Sequence, residues 1–359
     1  MRAAVALFVS LTIPSASNAQ SEKTGAETYQ AACQACHGAD GKGNPRSQVG
    51  FDTPLPDFSS CAFTTAEPLT EWISIVHLGG RARALDPAMP AFGEALSEDE
   101  IQRVVAYVRG FCQSKAWPDG NLNLPRPLVT AKAFPENEAV FTMGVPTRDT
   151  DHVDTQFEYE RRLGPRSQYE VVVPLNAAKL GGDWNRGLGD IGVGFKHVIF
   201  HDAGRGSILS GSVEMTFPTG KETEGLGNRL LIFEPFAAFS QSLPFDGFLH
   251  AQAGMEIPLN VRAALNEVFW RVAVGKTFTE PRWGRAWSPM VEVLGARDME
   301  FGEPAKWDLV PQLLVTLSRR QHVMASGGVR LPMNVRTRSP AAVAALIWEW
   351  TQGSVFSGW

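Results

Sequence analysis

From about residue 137 onward the sequence takes a period of two, and this alternation limits the possible folds more than any other feature. Thr155, Phe157, Tyr159 and Leu163 alternate with Gln156, Glu158, Glu160 and Arg162. Tyr169, Val171, Val173 and Leu175 alternate with Gln168 and Glu170, and Leu209, Val213, Met215 and Phe217 with Ser210, Ser212, Glu214 and Thr216. Two later stretches repeat the pattern: Leu309, Leu313, Val315 and Leu317 against Gln312, Thr316 and Ser318, then Val323, Ala325, Val329 and Leu331 against His322, Ser326 and Arg330. Strict alternation gives a strand one apolar face and one polar face. About twelve such segments begin near Glu138, Val153, Ser167, Gly189, Ser207, Arg229, Gly247, Glu267, Arg285, Asp308, Gln321 and Ala341. Most run about 9 to 12 residues, the reach of a tilted strand across hydrocarbon.

A soluble sandwich or lipocalin-like barrel would turn the apolar face inward. Two features favour a membrane barrel instead. The polar set carries Glu158, Glu160, Glu170, Glu214, Glu256 and Glu292 with Arg162, Arg271 and Arg330, which can pair across a narrow lumen while the outside stays apolar. Tryptophans gather near strand ends, at Trp184, Trp270, Trp283, Trp287, Trp307, Trp348 and Trp350, and the chain ends on Trp359. Such aromatics suit interfacial girdles. The expected fold of residues 137–359 is an all-β antiparallel transmembrane barrel of about twelve strands.

The first third is different. All 4 cysteines occur there, the last at Cys112. Arg2, the apolar run Ala3 to Ile13 and the small-residue stretch to Ala19 form an export signal, with cleavage after Ala19. No apolar run is long enough for a membrane helix. The net charge of −5 gives no support to a nucleic-acid partner.

Cys33-Gln34-Ala35-Cys36-His37 has the attachment spacing of c-type haem. Two thiols add across the two vinyl groups of one porphyrin, and the next histidine meets the iron. A redox dithiol or half a zinc site also fits C-x-x-C. The first lacks its usual βαβ surroundings, and Cys61 and Cys112 supply no second C-x-x-C for the second. Thr24 to Ala35 reads as a helix ending at the cysteines, and Leu69 to Leu78 as another. Ser97-Glu98-Asp99-Glu100 opens a third with a capping box, followed by the apolar stripe Ile101, Val104, Val105 and Val108. Met89, between Pro87 and Pro90, is the expected sixth iron ligand, and a thioether there raises the reduction potential. His77 is the rival ligand.

CQACHG followed by AMPAFGEALSEDEIQRVVAYVRGFC resembles a class I monohaem cytochrome c over about a quarter of the chain. The resemblance implies a small all-α domain with crossing first and last helices. It implies one covalent haem c on Cys33 and Cys36, with His37 proximal and Met89 distal. Cys61 and Cys112 are extra to that pattern. An even number of leftover cysteines in an exported protein points to a disulfide.

The domain organisation expected is therefore a signal peptide at 1–19, a cytochrome c domain at 20–115, a Pro-rich linker at 116–136 and the barrel at 137–359. Pro118, Pro125, Pro127 and Pro135 make the linker extended and stiff, and its Trp117 and apolar residues place it against a surface. LGDIGVGFKHVIF, EMTFPTG and IFEPFAAF resemble the outer-membrane barrel family linked to the meta-pathway of phenol degradation. That resemblance implies a roughly twelve-stranded barrel passing small organic compounds. The expected function is electron transfer, not catalysis, at the periplasmic face of an outer membrane, with periplasmic dehydrogenases, oxidases or other cytochromes as partners. The alternative is a channel for a small organic solute whose cytochrome accepts electrons from an enzyme. A peroxidase-like activity would require an open iron position.

Overall fold

The computed structural model describes residues 23–50, 52–148, 151–260, 264–280, 285–334 and 338–351. The segment read as an export signal, together with Trp283 and Trp359, lies outside the described residues.

Among the described residues six α-helices come first: α1 Gly25–Ala32, α2 Gln34–His37, α3 Arg46–Val49, α4 Cys61–Thr64, α5 Leu69–Leu78 and α6 Glu98–Arg109. Both α1 and α6 begin with complete capping boxes, Thr24 with Glu27 and Ser97 with Glu100. The stripe Ile101, Val104, Val105 and Val108 is buried, as its spacing requires. α1 crosses α6 at Gly25, where a Cβ would lie 2.3 Å from the Arg103 carbonyl oxygen. Only glycine allows so close an approach. Tyr29, Phe58, Val104 and Val108 form the core, with Cys33, Phe63, Trp72, Val76 and Phe111 packed around it. Cys61 and Cys112 are disulfide-bonded, with Cα atoms 5.0 Å apart.

Fourteen β segments follow: β1 Glu138–Pro146, β2 His152–Leu163, β3 Ser167–Leu180, β4 Asp183–Leu188, β5 Ile191–Asp202, β6 Ser207–Phe217, β7 Ile232–Leu243, β8 Gly247–Pro258, β9 Glu267–Lys276, β10 Phe278–Glu280, β11 Arg285–Asp298, β12 Lys306–Thr316, β13 Val323–Pro332 and β14 Ala341–Glu349. β4 and β5 both pair with β3, and β9 and β10 both pair with β11. Each of these pairs is one strand with a break, so the barrel has twelve strands, all antiparallel. The β1–β14 pairing, Glu138 to Glu349 through Pro146 to Ala341, closes it. Closure removes the sheet edges, as a bilayer demands.

The faces settle which way the barrel is turned. Phe141, Met143, Phe157, Val193, Phe195, Val213, Val274, Val291, Val293 and Leu313 are exposed on the outside. Glu138, Glu160, Gln168, Glu170, Lys196, His250, Gln252, Glu292 and Gln312 are buried inside. A soluble barrel has the reverse arrangement. One acidic row climbs the inner wall. Register pairs Glu349 with Glu138, Glu138 with Glu160, Glu160 with Glu170, and Glu170 with Gly194. It continues from Gly194 to Glu214 and from Glu214 to Glu234, and further on Glu256 faces Glu267, which faces Asp298. Directly paired residues share a face, so the whole row points into the lumen.

One expectation needs correction. Trp350 is only 2% exposed, its ring stacked 5.7 Å from that of Tyr159, so it belongs to no interfacial girdle; Trp184, Trp287 and Trp307 are exposed. The surface against which the connector lies is the inner wall of the barrel. It dips into the lumen and returns to the rim at which β1 starts. Leu122, Ala133 and Phe134 pack with Val198, Ile208, Phe236 and Phe269, while Leu124 and Leu128 pack with Phe248, Met290 and Leu314. Apolar side chains and two cations on a strip too stiff to coil find partners there that the outer surface lacks.

Candidate haem site and the filled lumen

The thiols of Cys33 and Cys36 and the imidazole of His37 share one helical turn. Cys33 caps α1 with φ −118°, so the helix read as continuous to Ala35 is broken there and restarts as α2. The His37 and Cys36 amides donate to the Cys33 carbonyl at 2.9 and 3.2 Å. Asn44 fastens the turn from outside. Its side-chain amide donates to the carbonyls of Gln34 and Ala35 at 3.2 and 2.9 Å, and its own N–H to Cys36 at 2.8 Å. Asn44 is not among the site residues the sequence singles out, because its partners follow from the turn geometry.

His37 stacks on Phe58, ring centroids 4.8 Å apart, and its Nδ1 is buried without a hydrogen-bond partner. Burial lowers its pKa and keeps the ring neutral, the state that ligates a metal. Burial, then the charge of Cys36, pushes the Cys33 thiol up to about 11. A reactive redox dithiol needs the opposite shift. Both thiols are free of any disulfide. A neutral imidazole, two adjacent thiols and walls of Phe58, Phe63, Trp72, Val76, Val104 and Val108 fit a covalently held porphyrin.

Met89 stands on a separate loop. Gly80 N–H donates to the Met89 carbonyl at 3.0 Å, and Met89 N–H to Asp86 at 3.2 Å. Asp86 is held in turn by Thr53 and by the Ala88 amide at 2.8 Å. His77 is engaged elsewhere: its Nε2 lies 3.0 Å from Glu98 Oε1, and its ring rests on Gly93.

The barrel grips the connector through the backbone. Leu128 N–H donates to Gln312 at 2.9 Å, those of Val129 and Thr130 to Glu292 at 3.1 and 2.6 Å, and Ala131 N–H to Gln252 at 3.0 Å. Ala133 N–H reaches Ser240 at 3.3 Å and Glu136 N–H reaches Gln168 at 2.7 Å. Proline at 125, 127 and 135 removes amides that would otherwise need partners. Arg126 meets Glu138, Glu158 at 2.7 Å and Glu160 at 3.2 Å. Lys132 pairs with Glu136 and lies 3.8 Å from Glu349. Arg162 lies over Trp117 and Phe134 at 4.9 and 5.3 Å from the ring centroids. Gly328 leaves room for Leu128, whose Cδ1 would stand 3.0 Å from a Cβ there.

The helical domain rests on the same rim. His322 Nε2 lies 3.0 Å from Glu67 Oε1, and Leu69 N–H donates to Asn121 at 2.7 Å. Arg109 pairs with Asp119 at 2.8 Å, and Arg166 donates to the Ala116 carbonyl at 3.2 Å.

Residues 20–108 match the family described as cytochrome c oxidase, cbb3-type, subunit III. No curated protein matches the chain. Among solved structures, a c-type cytochrome, KustC0563, is 24% identical, covering 25% of this chain and 100% of its own with a TM-score of 0.21. The COG4313 outer membrane channel from Pseudomonas putida F1 is 12% identical, covering 63% of this chain and 99% of its own with a TM-score of 0.44. The NanC porin is 9% identical, covering 59% and 98% with a TM-score of 0.42. The chain thus joins an N-terminal cytochrome c domain, matched by that family model over residues 20–108, to a closed, twelve-stranded antiparallel β-barrel.

Proposed function

We propose that this protein is a haem c electron carrier fixed to an outer membrane by its own plugged barrel. The filled lumen carries this reading. The inner wall holds the connector by main-chain amides and by Arg126 and Lys132, which leaves the barrel to serve as an anchor. A channel for small organic solutes would have to expel that segment.

One haem would be held by thioethers to Cys33 and Cys36, with His37 and Met89 as the residues that would ligate its iron. When bound, it supplies one-electron Fe(II)/Fe(III) chemistry. This chain's residues orient it, keep the His37 imidazole neutral and fill the sixth position, so the domain carries electrons and does not oxidise substrate at iron. The boundaries are those of the sequence: signal 1–19, cytochrome 20–115, connector 116–136 and barrel 137–359. The rim bearing the start of β1 and the end of β14 faces the periplasm. Exported c-type haem is attached there, and longer stretches such as 218–231 and 299–305 stand at the opposite rim. Partners are periplasmic dehydrogenases, oxidases or other cytochromes that reach the haem edge.

Denatured protein run on a gel and stained for haem peroxidase activity tests the attachment. Stain should persist in the wild type and fall with either cysteine changed to alanine. Protease added to intact cells tests the placement: any cuts should fall in barrel loops while the haem domain stays whole. A haem domain digested in intact cells overturns the orientation.

A further inference from the structure

The loop carrying Met89 is tied to the barrel as well as to its own domain. We infer that the turn between β12 and β13, residues 317–322, is a positioning element for Met89, acting through Arg320 and Arg83. The inference rests on the assignment of Met89 as distal ligand made above.

The loop leaves α5 at Gly79 and returns at Pro90. Two hydrogen bonds close it, Gly80 N–H to the Met89 carbonyl at 3.0 Å and Leu85 N–H to the Gly80 carbonyl at 2.8 Å. Its tip is Ala84, held at φ 53° and ψ 31°. A residue with a Cβ adopts that left-handed conformation only when its surroundings hold it there. Those surroundings include the barrel. Arg320 donates to the Ala84 carbonyl at 3.1 Å. The preceding residue, Arg83, is 4% exposed; its guanidinium straddles Glu71 of α5 at 2.9 and 3.1 Å and donates to the Arg319 carbonyl at 3.4 Å. The loop is therefore suspended between α5 and the barrel turn.

The turn is itself braced. Leu317 N–H donates to the Val323 carbonyl at 2.7 Å and Val323 N–H to the Ser318 hydroxyl at 3.0 Å. His322 meets Glu67, just ahead of α5, at 3.0 Å. A clamp with one foot at Glu67 and the other at Ala84 resists the movement by which the loop would swing away. Any added ligand must displace the methionine sulfur to reach the iron. Its apparent affinity therefore contains the cost of opening the loop, since only the open state binds it. The sulfur's hold on the iron is in part a property of the barrel.

The test uses full-length holoprotein in detergent. Imidazole is titrated into the ferric protein, the absorption band of methionine-bound ferric iron is followed, and the midpoint potential is measured. R320A should bind imidazole about fivefold to tenfold more tightly, equivalent to about 1–1.4 kcal/mol, within the net worth of one solvent-exposed hydrogen bond. Its potential should fall, and R320K should recover at least half of the affinity change, because an ammonium can still donate to the Ala84 carbonyl. R83K keeps a cation on Glu71 but loses the fork that reaches Arg319; it should shift in the same direction and stands in if R320A does not assemble. Wild-type affinity and potential in both R320A and R83K, with the band lost in M89A, would refute the clamp. If M89A instead leaves the band and the imidazole affinity unchanged, the distal-ligand assignment fails and the clamp fails with it.

Discussion

Replacing Arg126 with methionine removes the cation on which the connector's hold most depends. The Arg126 side chain is 17% exposed, and those of its partners Glu138, Glu158 and Glu160 are 0%, 12% and 3% exposed. Methionine keeps much of the volume and none of the charge. Three buried carboxylates then face one another with their shared partner gone. Breaking a buried ion pair from one side costs about 3–5 kcal/mol, because a charge is left uncompensated away from water. At about 1.4 kcal/mol per factor of ten, the population with the connector withdrawn should rise by roughly two to three and a half orders of magnitude. The six main-chain hydrogen bonds from Leu128 to Glu136 remain, as do the buried side chains of Leu122 and Phe134. Brief openings are therefore expected, not a standing pore.

Single-channel recording in a planar bilayer reads this directly. Wild-type protein should be almost silent, and R126M should open about a hundredfold more often or more. R126K should fall between, since one ammonium cannot serve three carboxylates as a forked guanidinium does. An R126M protein as silent as wild type, with the same urea midpoint, would refute the electrostatic latch. A large steady current from wild type would refute the plug.

Met89→Ala should open the sixth position, giving high-spin ferric iron and new binding of cyanide; the same change in His77→Ala instead would transfer the role to His77. Replacing Cys61 and Cys112 with alanine opens a span of 51 residues and should cost about 4 kcal/mol in the chain-entropy model, read as a fall in the unfolding midpoint of the helical domain. Burial opposes the charge on His322, but Glu67 and then Glu349 outweigh it, so its pKa is raised above the ordinary 6.5. A raised value means that the contact stabilises docking fully below 6.5 and loses that stabilisation as pH climbs through the raised value. Proteolysis between the domains should accelerate over that interval in wild type and show no such step in H322Q.

Local signals were legible and long-range ones were not. The capping boxes and the stripe of α6 depend on neighbours a few residues away, and they stand as spaced. Alternation located the strands, because one face must meet lipid whatever the partner strand is. The glutamates read as lumen-facing do face inward. The connector was different. Its amides are satisfied by Gln252, Glu292 and Gln312, more than a hundred residues further on. Nothing in those residues separates a side chain that binds a peptide from one that faces water. Leu122, Leu128 and Phe134 have no period, so they suggested only some apolar surface. Trp350 misled for a related reason: a tryptophan at a strand end suits an interface, but at the closing seam Tyr159 offers it a stacking partner.

That seam leads to a last consequence. The barrel closes where β14 meets β1, and there Glu349 faces Glu138 directly. Like charges paired across strands oppose closure. Lys132, on the connector, serves the Glu349 side of the seam: it pairs with Glu136 and stands 3.8 Å from Glu349. Its side chain is 3% exposed, that of Glu138 0% and that of Glu349 20%, so water screens the seam only from the Glu349 side. The backbone seals the same place, with Trp350 N–H donating to the Asn137 carbonyl at 3.1 Å. The connector precedes β1 in the chain, so its cation can already be in position when the last strand arrives. Lys132→Met should therefore weaken closure by about 3–5 kcal/mol, a larger effect than an exposed ion pair could produce. The assay is the temperature at which the folded barrel, which migrates fast on a gel, converts to the slow unfolded form. That temperature should drop in K132M. Part of the loss should return when Glu349→Gln is added, because the repulsion goes with the charge. A K132M barrel as heat-resistant as wild type would show that β1 and β14 close without help from the connector.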